Sequence, residues 1–258
     1  MNAPRYVRPM GTTEIFRSAF ELYRQHFLTL IIVNAFVVVP LLLSSLTSSS
    51  IVQLVIFPFA LIASYFGLAV TTVAASNAVL GRPVSVGGTF RRTFSARLIW
   101  RLLDVGLGVA VRIGIGFVLL IIPGIVLSVW YLFFSPVIVL EKITAQSAVL
   151  KRSRELVQGH FWRVLFVYGI LFYIPYVVIS SVIGSLVLFL GLAIGLDVLL
   201  VQLVNLVLDG LWGLVAAPIG SLLGTLLYYD LRARKENYNE ELLAQDMGYK
   251  PLGEMVTV

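Results

Sequence analysis

The sequence contains no cysteine and few charged residues. The absence of Cys from the 258 residues excludes disulfides, thiol catalysis and Cys-ligated metal sites. Charged residues make up 12% of the chain, apolar residues 59%, and the mean hydropathy is +0.96. Soluble domains carry about a quarter charged residues and about half apolar ones. The composition therefore indicates an integral membrane protein.

Motifs for catalysis and for metal binding are also missing. We find no Ser-His-Asp order, no phosphate-binding glycine loop and no paired carboxylates on a plausible aqueous surface. The only two histidines, His26 and His160, stand far apart in the sequence and outside any cluster at metal-ligand spacing. We therefore expect no enzymatic activity, no metal and no cofactor.

Long apolar runs dominate what is present. A run of about 20 apolar residues is enough to cross a bilayer as a helix. The first run is too long for the core of a typical signal peptide, so we interpret it as an uncleaved span. Six candidate spans result, at 27–45, 51–80, 99–121, 125–140, 161–190 and 198–229.

The basic residues predict the orientation of these spans. Of the 19 Lys and Arg residues, 16 lie before the first span, after the sixth, or between spans two and three or four and five, and Arg101 and Arg163 lie in the first three residues of spans three and five, next to the same connections. The loops at 46–50, 122–124 and 191–197 carry none. Because positive residues accumulate on the cytoplasmic side, we predict an all-α polytopic protein with six transmembrane helices and both termini cytoplasmic. The net charge of +6 then reflects topology and anionic lipid, not nucleic-acid binding.

Two basic, amphipathic stretches lead directly into spans. The segments 16–30 (FRSAFELYRQHFLTL) and 147–165 (SAVLKRSRELVQGHFWRVL) share the pattern Glu-Leu-x-x-x-His-Phe. Such helices are expected in the headgroup region, with their apolar face towards the acyl chains. In the first helix this face comprises Phe16, Ala19, Phe20, Tyr23 and Phe27. We expect lipid contacts from Arg17, Arg24, His26, Lys151, Arg152, Arg154, His160 and Arg163.

The same design predicts a threefold plan. Each unit has a basic interfacial lead-in, a span out, a short loop and a span back. The units run roughly over 12–80, 86–140 and 143–230, which gives a membrane domain at 1–236 and a cytoplasmic polar tail at 237–258. Each unit enters from the cytoplasm, so the repeats are parallel and not inverted.

Four polar residues inside the spans form a predicted buried core: Arg112, Asp209, Asp104 and Asn205. Arg112 lies nine residues from the outer end of span three, and Asp209 lies eleven from the outer end of span six. At about 1.5 Å per residue these depths agree within roughly 3 Å. Because a mid-bilayer charge normally finds a partner, we predict an ion pair. Its role is either to fix helix packing, the interpretation that nearby glycines favour, or to bind or pass an anion, a headgroup or a proton.

Three segments resemble a known group of proteins. They are SAFELYRQHF near the start, 136–165 (PVIVLEKITAQSAVLKRSRELVQGHFWRVL) and LLYYDLRARKE at 226–236. With their spacing they are similar to a family of prokaryotic six-helix membrane proteins that includes the membrane domain attached to some glycerophosphodiester phosphodiesterases. The resemblance implies a bacterial or archaeal cytoplasmic membrane. It does not imply phosphodiesterase activity, which belongs to a separate soluble domain, and it supplies no catalytic residues.

We therefore expect a non-enzymatic membrane scaffold or lipid-interacting module whose partners are anionic membrane lipids. The sequence leaves open a protein partner or a homo-oligomer. The alternative is a transporter or lipid-translocating protein that uses the core of Arg112, Asp209 and Asp104. A water-filled cavity reaching Arg112 would favour transport, and a closed ion pair in dry packing would favour the scaffold.

Overall fold

The computed structural model describes residues 6–45 and 50–249 and contains only helices and their connections over that range. The all-α prediction is confirmed for these residues. The elements are α1 (Thr12–Gln25), α2 (Phe27–Ser45), α3 (Ser50–Val79), α4 (Val86–Thr93), α5 (Ala96–Leu119), α6 (Ile121–Trp130), α7 (Phe134–Leu140), α8 (Gln146–Val157), α9 (Phe161–Val164), a π-helical segment (Leu165–Tyr173), α10 (Ile174–Ala193), α11 (Val198–Glu236) and α12 (Glu240–Asp246).

Five helical stretches of the described residues are long and apolar enough to cross a membrane. They are Ile62–Val79, Ala96–Leu119, Ile121–Leu140, Phe161–Ala193 and Val198–Glu236. These stretches confirm a multi-pass membrane protein and correspond to predicted spans two to six. The first predicted span has the same bounds as α2, Phe27–Ser45.

Two predicted connections need comment. The predicted loop at 122–124 is replaced by a turn at Leu120, and Pro123 lies in the first turn of α6. Proline is tolerated there because its missing N–H would have no helical acceptor. Of the predicted loop at 46–50, residues 46–49 lie outside the described residues.

The element order repeats three times. A short helix (α1, α4 or α8) precedes a long apolar hairpin in each case. The short helix α1 does not present its whole apolar face outward, because it packs against α11 and buries Ile15, Ala19, Leu22 and Tyr23. Phe20 remains 54% exposed. The predicted aromatic face is thus partly buried against the bundle and partly exposed.

Helix α11 is the central element of the bundle. It packs against α1, α2, α3, α8, α10 and the π-helical segment, and its residues 222–231 are buried except for Gly224, which is half-buried. Gly220 and Gly224 let the π-helical segment approach closely. A Cβ atom on Gly220 would lie 2.5 Å from the ring of Phe172, and one on Gly224 would lie 3.5 Å from the ring of Tyr168. This Gly-x-x-x-Gly pair therefore serves the packing of α11 against the π-helical segment.

These two glycines give a matched test of helix packing. We expect Gly220→Ala to destabilise the protein by about 1–3 kcal/mol, because the new methyl group forces the Phe172 ring to move. Gly224→Ala adds the same methyl at ordinary contact distance and should change stability by less than about 0.5 kcal/mol. Thermal unfolding of both variants in detergent is the measurement. Equal effects would show that Phe172 does not constrain this contact.

Candidate functional site

Among the described residues, the most completely buried charged side chain is that of Asp230 in α11. Its side chain is 0% exposed and accepts hydrogen bonds from Arg163 Nε at 2.9 Å and Arg234 Nε at 3.0 Å. The backbone N–H of Met10 donates to the same carboxylate at 2.7 Å. Both arginines also donate to the carbonyl of Met10, at 2.5 and 2.8 Å. Asp230 therefore joins the N-terminal segment, α9 and α11.

A second ion-pair network lies between α7, α8 and α11. Arg152 Nε lies 2.7 Å from Glu141, and its Nη2 atom lies 2.5 Å from Glu236. The Tyr228 hydroxyl donates to Glu141 at 2.8 Å. These hydrogen bonds and charges raise the pKa of Arg152, against the opposing effect of burial. A buried charge is tolerated when it is paired in this way. We call the end of the bundle that holds Asp230, Glu141 and Arg152 the charged end.

The C-terminal segment 237–249 docks onto the charged end. Arg232 pairs with Asp246 at 3.0 Å, and its guanidinium lies 3.6 Å from the centre of the Tyr238 ring. Tyr249 donates to Asn77 at 2.9 Å. The sequence predicted only a polar tail and missed this docking. The alternation of tyrosine with acidic residues was the available signal.

Two of the three segments that carry the family resemblance meet at the charged end. Segment 136–165 supplies Glu141, Arg152 and Arg163, and segment 226–236 supplies Asp230 and the residues around it. A further residue of the segment 136–165, Ser153, accepts a hydrogen bond from the N–H of Phe133 at 3.2 Å. Its hydroxyl donates to the carbonyl of Trp130 at 2.7 Å. The motifs therefore form the joints between helices.

The six Lys and Arg residues among the predicted lipid contacts divide into two groups. Arg17, Arg24, Lys151 and Arg154 are exposed, and we call them the exposed basic residues. The Lys151 side chain is 78% exposed and lies 3.9 Å from Glu155. Arg154 lies over the Trp130 ring at 4.1 Å.

Arg152 and Arg163 form the other group. Both were predicted to contact lipid, and the structure instead engages them in internal ion pairs. Each side chain is 22% exposed and is engaged in the ion pairs described above. Their guanidinium groups hold helices together and are not free for headgroups. Their acidic partners are Glu141 at the end of α7, which lies 11 residues from Arg152, and Glu236 and Asp230 of α11, which lie much farther along the chain.

His26 and His160 occupy equivalent joints. His26 lies between α1 and α2 with φ −119° and ψ 23°, and His160 lies between α8 and α9 with φ −127° and ψ 19°. Both lie where a short helix turns into an apolar one, as the repeated motif predicts. Burial lowers the pKa of His26, which favours the neutral imidazole. The buried Nδ1 of His160 has no hydrogen-bond partner among the described residues.

The structure does not bring Arg112 and Asp209 together. Arg112 is exposed and donates to the carbonyl of Gly108 in its own helix at 2.8 Å. Asp209 is exposed and accepts from the Ser180 hydroxyl at 2.9 Å. Matching depth did not predict a contact, because depth does not determine which way each helix faces. Helix α5 packs against α3, α6, α7 and α8, whereas α11 packs closely against α2 and α10.

The other two residues of the predicted core are also separate. Asp104 is exposed, and its backbone carbonyl accepts from Gln146 at 2.9 Å. Asn205 is half-buried, and its Oδ1 atom has no partner in the described part of the chain. Within 6–45 and 50–249 the acidic and histidine side chains form no group of three that could hold a metal ion. The predicted core is thus four separate polar positions.

Comparison with known proteins supports the sequence resemblance. Residues 104–251, more than half of the chain, match the family model described as the membrane domain of glycerophosphoryl diester phosphodiesterase. No curated protein and no solved structure matched the chain. The matched range contains Glu141, Arg152 and Asp230, so it includes both ion-pair networks of the charged end. The chain therefore belongs to the family of membrane domains of glycerophosphoryl diester phosphodiesterases.

Proposed function

We propose that the chain is a non-enzymatic, lipid-interacting module of a prokaryotic cytoplasmic membrane. The observation that supports this most is the division of the basic residues. Some arginines are internal ion-pair partners, whereas Arg17, Arg24, Lys151 and Arg154 remain exposed on the short helices α1 and α8. Exposed basic residues beside an apolar span attract anionic headgroups at about 1 kcal/mol each.

The proposed mechanism is anchoring at the membrane surface. The short helices α1 and α8 fix the exposed basic residues on a rigid frame, because their other faces are buried against the bundle. Large aromatic side chains accompany them: Phe20 is 54% exposed and Trp162 is 77% exposed. Aromatic rings of this kind favour the boundary between headgroups and acyl chains. Together these groups would hold anionic lipid at the charged end.

We further propose six spans with both termini in the cytoplasm. In this arrangement α2 supplies the first span, and 18 of the 19 Lys and Arg residues lie on the cytoplasmic side. The positive-inside rule supports the orientation. The exposed basic residues would then face the leaflet that carries anionic lipid.

The absence of Cys makes the orientation directly testable. We expect Leu196→Cys, in the turn between α10 and α11, to react with a membrane-impermeant maleimide in intact cells. Lys142→Cys, between α7 and α8, should react only after the cells are opened. Labelling of both positions in intact cells, or of Lys142→Cys alone, would contradict the proposed orientation.

Lipid selectivity of the unmodified chain tests the function. We expect native mass spectrometry to find more phosphatidylglycerol than phosphatidylethanolamine retained after delipidation from an equimolar mixture. Because headgroup attraction is electrostatic, the preference should fall as salt rises. Equal retention of both lipids at low salt would contradict the proposal.

Transport through a polar core is the alternative function. It depended on Arg112 and Asp209 acting together, and their side chains bond to Gly108 and Ser180 instead. The geometry therefore gives no support to transport through an Arg112–Asp209 pair, and the proposal of a lipid-interacting module rests on the exposed basic residues instead.

A further inference from the structure

Two irregular helical segments border the same cavity at the side of the bundle. The helix that fills the fourth span is interrupted at residues 131–133, between α6 and α7. The fifth span begins with the π-helical segment, Leu165–Tyr173. Irregular backbone at membrane depth is tolerated where it is buried in protein or lines a cavity, and π-helical turns often occur at functional sites.

Both irregular segments line the same pair of cavities. The first cavity, about 240 Å³, borders the interruption at 131–133 and Tyr168 of the π-helical segment. The second, about 310 Å³, borders Tyr168 and extends towards α2 and α10. The two share Leu68, Thr71, Tyr168, Gly220 and Ser221, and we call them together the central crevice. Small-molecule sites typically measure about 300–1,000 Å³.

The lining of the central crevice is mostly apolar, with scattered hydroxyl groups and no charged side chain. The hydroxyl-bearing side chains come from α3, α6, α7, the π-helical segment and α11, and no Lys, Arg, His, Asp or Glu lines either cavity. The hydroxyls of Thr71, Thr72, Ser128 and Thr225 donate to backbone carbonyls of their own helices and remain available as acceptors. Ser135 is 4% exposed, lines the first cavity, and its Oγ has no hydrogen-bond partner among the described residues. A buried hydroxyl without a partner costs free energy, so this atom points to a missing hydrogen-bonding group.

The crevice opens to the side of the bundle. Leu68 and Tyr173 line the second cavity and are 39% and 56% exposed. Both lie within apolar stretches long enough to span a membrane. A ligand would therefore enter from the acyl-chain region of the bilayer. Tyr65, Phe172 and Tyr176 supply apolar ring surface along this route.

We propose that the central crevice binds a neutral glycerolipid of the diacylglycerol class. A free hydroxyl and ester oxygens can bond to the hydroxyl lining, and an acyl chain can lie along the rings of the second cavity. A phosphate headgroup is disfavoured, because a charge there would be desolvated without a counter-charge. The inference rests on the proposed lipid-interacting function but uses a different part of the molecule from the exposed basic residues.

Photo-crosslinking of the full chain in nanodiscs tests this site. The probe is a diacylglycerol with a diazirine in its acyl chain, and the readout is peptide mapping by mass spectrometry. We expect crosslinks to concentrate in 62–79, 165–173 and 217–225, and to fall when unlabelled diacylglycerol is added. Ser221 lies in the wall that the two cavities share. The larger side chain of Ser221→Leu should fill part of the crevice and lower crosslinking about tenfold, equivalent to about 1.4 kcal/mol. Ser181→Leu, an exposed serine of α10 outside the crevice, is the matched control and should leave crosslinking unchanged.

A milder variant tests the same site in case Ser221→Leu does not fold. Tyr168→Phe keeps the ring that packs on Gly224 and removes only the hydroxyl, so it should weaken probe binding about threefold without loss of fold. The proposal is overturned by crosslinks spread evenly over the exposed helices, by full crosslinking in folded Ser221→Leu, or by equal crevice labelling with a phosphatidylglycerol probe. Retention of anionic lipid by Ser221→Leu should stay normal, which separates failure of this site from failure of the proposed function.

Discussion

Replacing Asp230 by asparagine is expected to lower the free energy of unfolding by about 3–5 kcal/mol, the usual cost of removing one partner of a buried ion pair. The carboxylate is fully buried and accepts from Arg163, Arg234 and the N–H of Met10. Asparagine has nearly the same shape but carries no charge, so two guanidinium groups lose their counter-ion. Thermal unfolding of the purified protein in detergent is the measurement.

The control for this prediction is Asp209→Asn. Asp209 is exposed, and Ser180 is its hydrogen-bond partner, so the same substitution should cost less than about 1 kcal/mol. A loss of similar size in both variants would mean that removing any acidic residue from α11 destabilises the chain. The proposed role of Asp230 as the joint between the N-terminal segment, α9 and α11 would then be wrong.

Replacing Arg232 by methionine is expected to cost about 2–4 kcal/mol and to release the C-terminal segment. Its side chain is 12% exposed and pairs with Glu236 at 2.9 Å and Asp246 at 3.0 Å. Its guanidinium also lies 3.6 Å from the Tyr238 ring centre. Methionine fills part of the volume but leaves Asp246 without this cation, and breaking such pairs is costly. Thermal unfolding, together with limited proteolysis between residues 237 and 249, measures both effects.

Arg97→Met is the matched control for Arg232. Arg97 is exposed near the start of α5, so its replacement should leave both the melting temperature and the protease sensitivity of the C-terminal segment unchanged. A stable Arg232→Met protein whose C-terminal segment still resists protease would contradict the role of Arg232 in docking and would show that other contacts suffice, such as the Tyr249–Asn77 hydrogen bond and the buried Leu243.

The apolar helices were predictable because their signal is local. Length and hydropathy place the spans, and a run of apolar residues has the same meaning wherever it packs. The repeated Glu-Leu-x-x-x-His-Phe pattern also carried local information: His26 and His160 adopt nearly the same backbone angles at equivalent helix joints. These features depend on residues close together in the chain.

The ion pairs were not predictable because they depend on which faces of distant helices meet. Arg163 lies 67 residues from Asp230 in the sequence, and in an amphipathic stretch it is indistinguishable from a lipid-contacting arginine. The prediction for Arg112 failed for the related reason that depth along a helix does not determine rotation about its axis. The family motifs contain the residues that form these ion pairs, but the sequence alone does not show that those residues pair.

The most direct test of the proposed function compares two sets of basic residues in one lipid-retention experiment. The first variant replaces the exposed basic residues Arg17, Arg24, Lys151 and Arg154 by glutamine. The second makes the same replacement by glutamine at Arg152 and Arg163, the arginines engaged in internal ion pairs. Phosphatidylglycerol retained per folded molecule is measured by native mass spectrometry, and stability is measured by thermal unfolding. We predict that the first variant loses the anionic lipid with little change in melting temperature, while the second melts earlier and keeps the lipid. Normal retention by the first variant would contradict the proposed function.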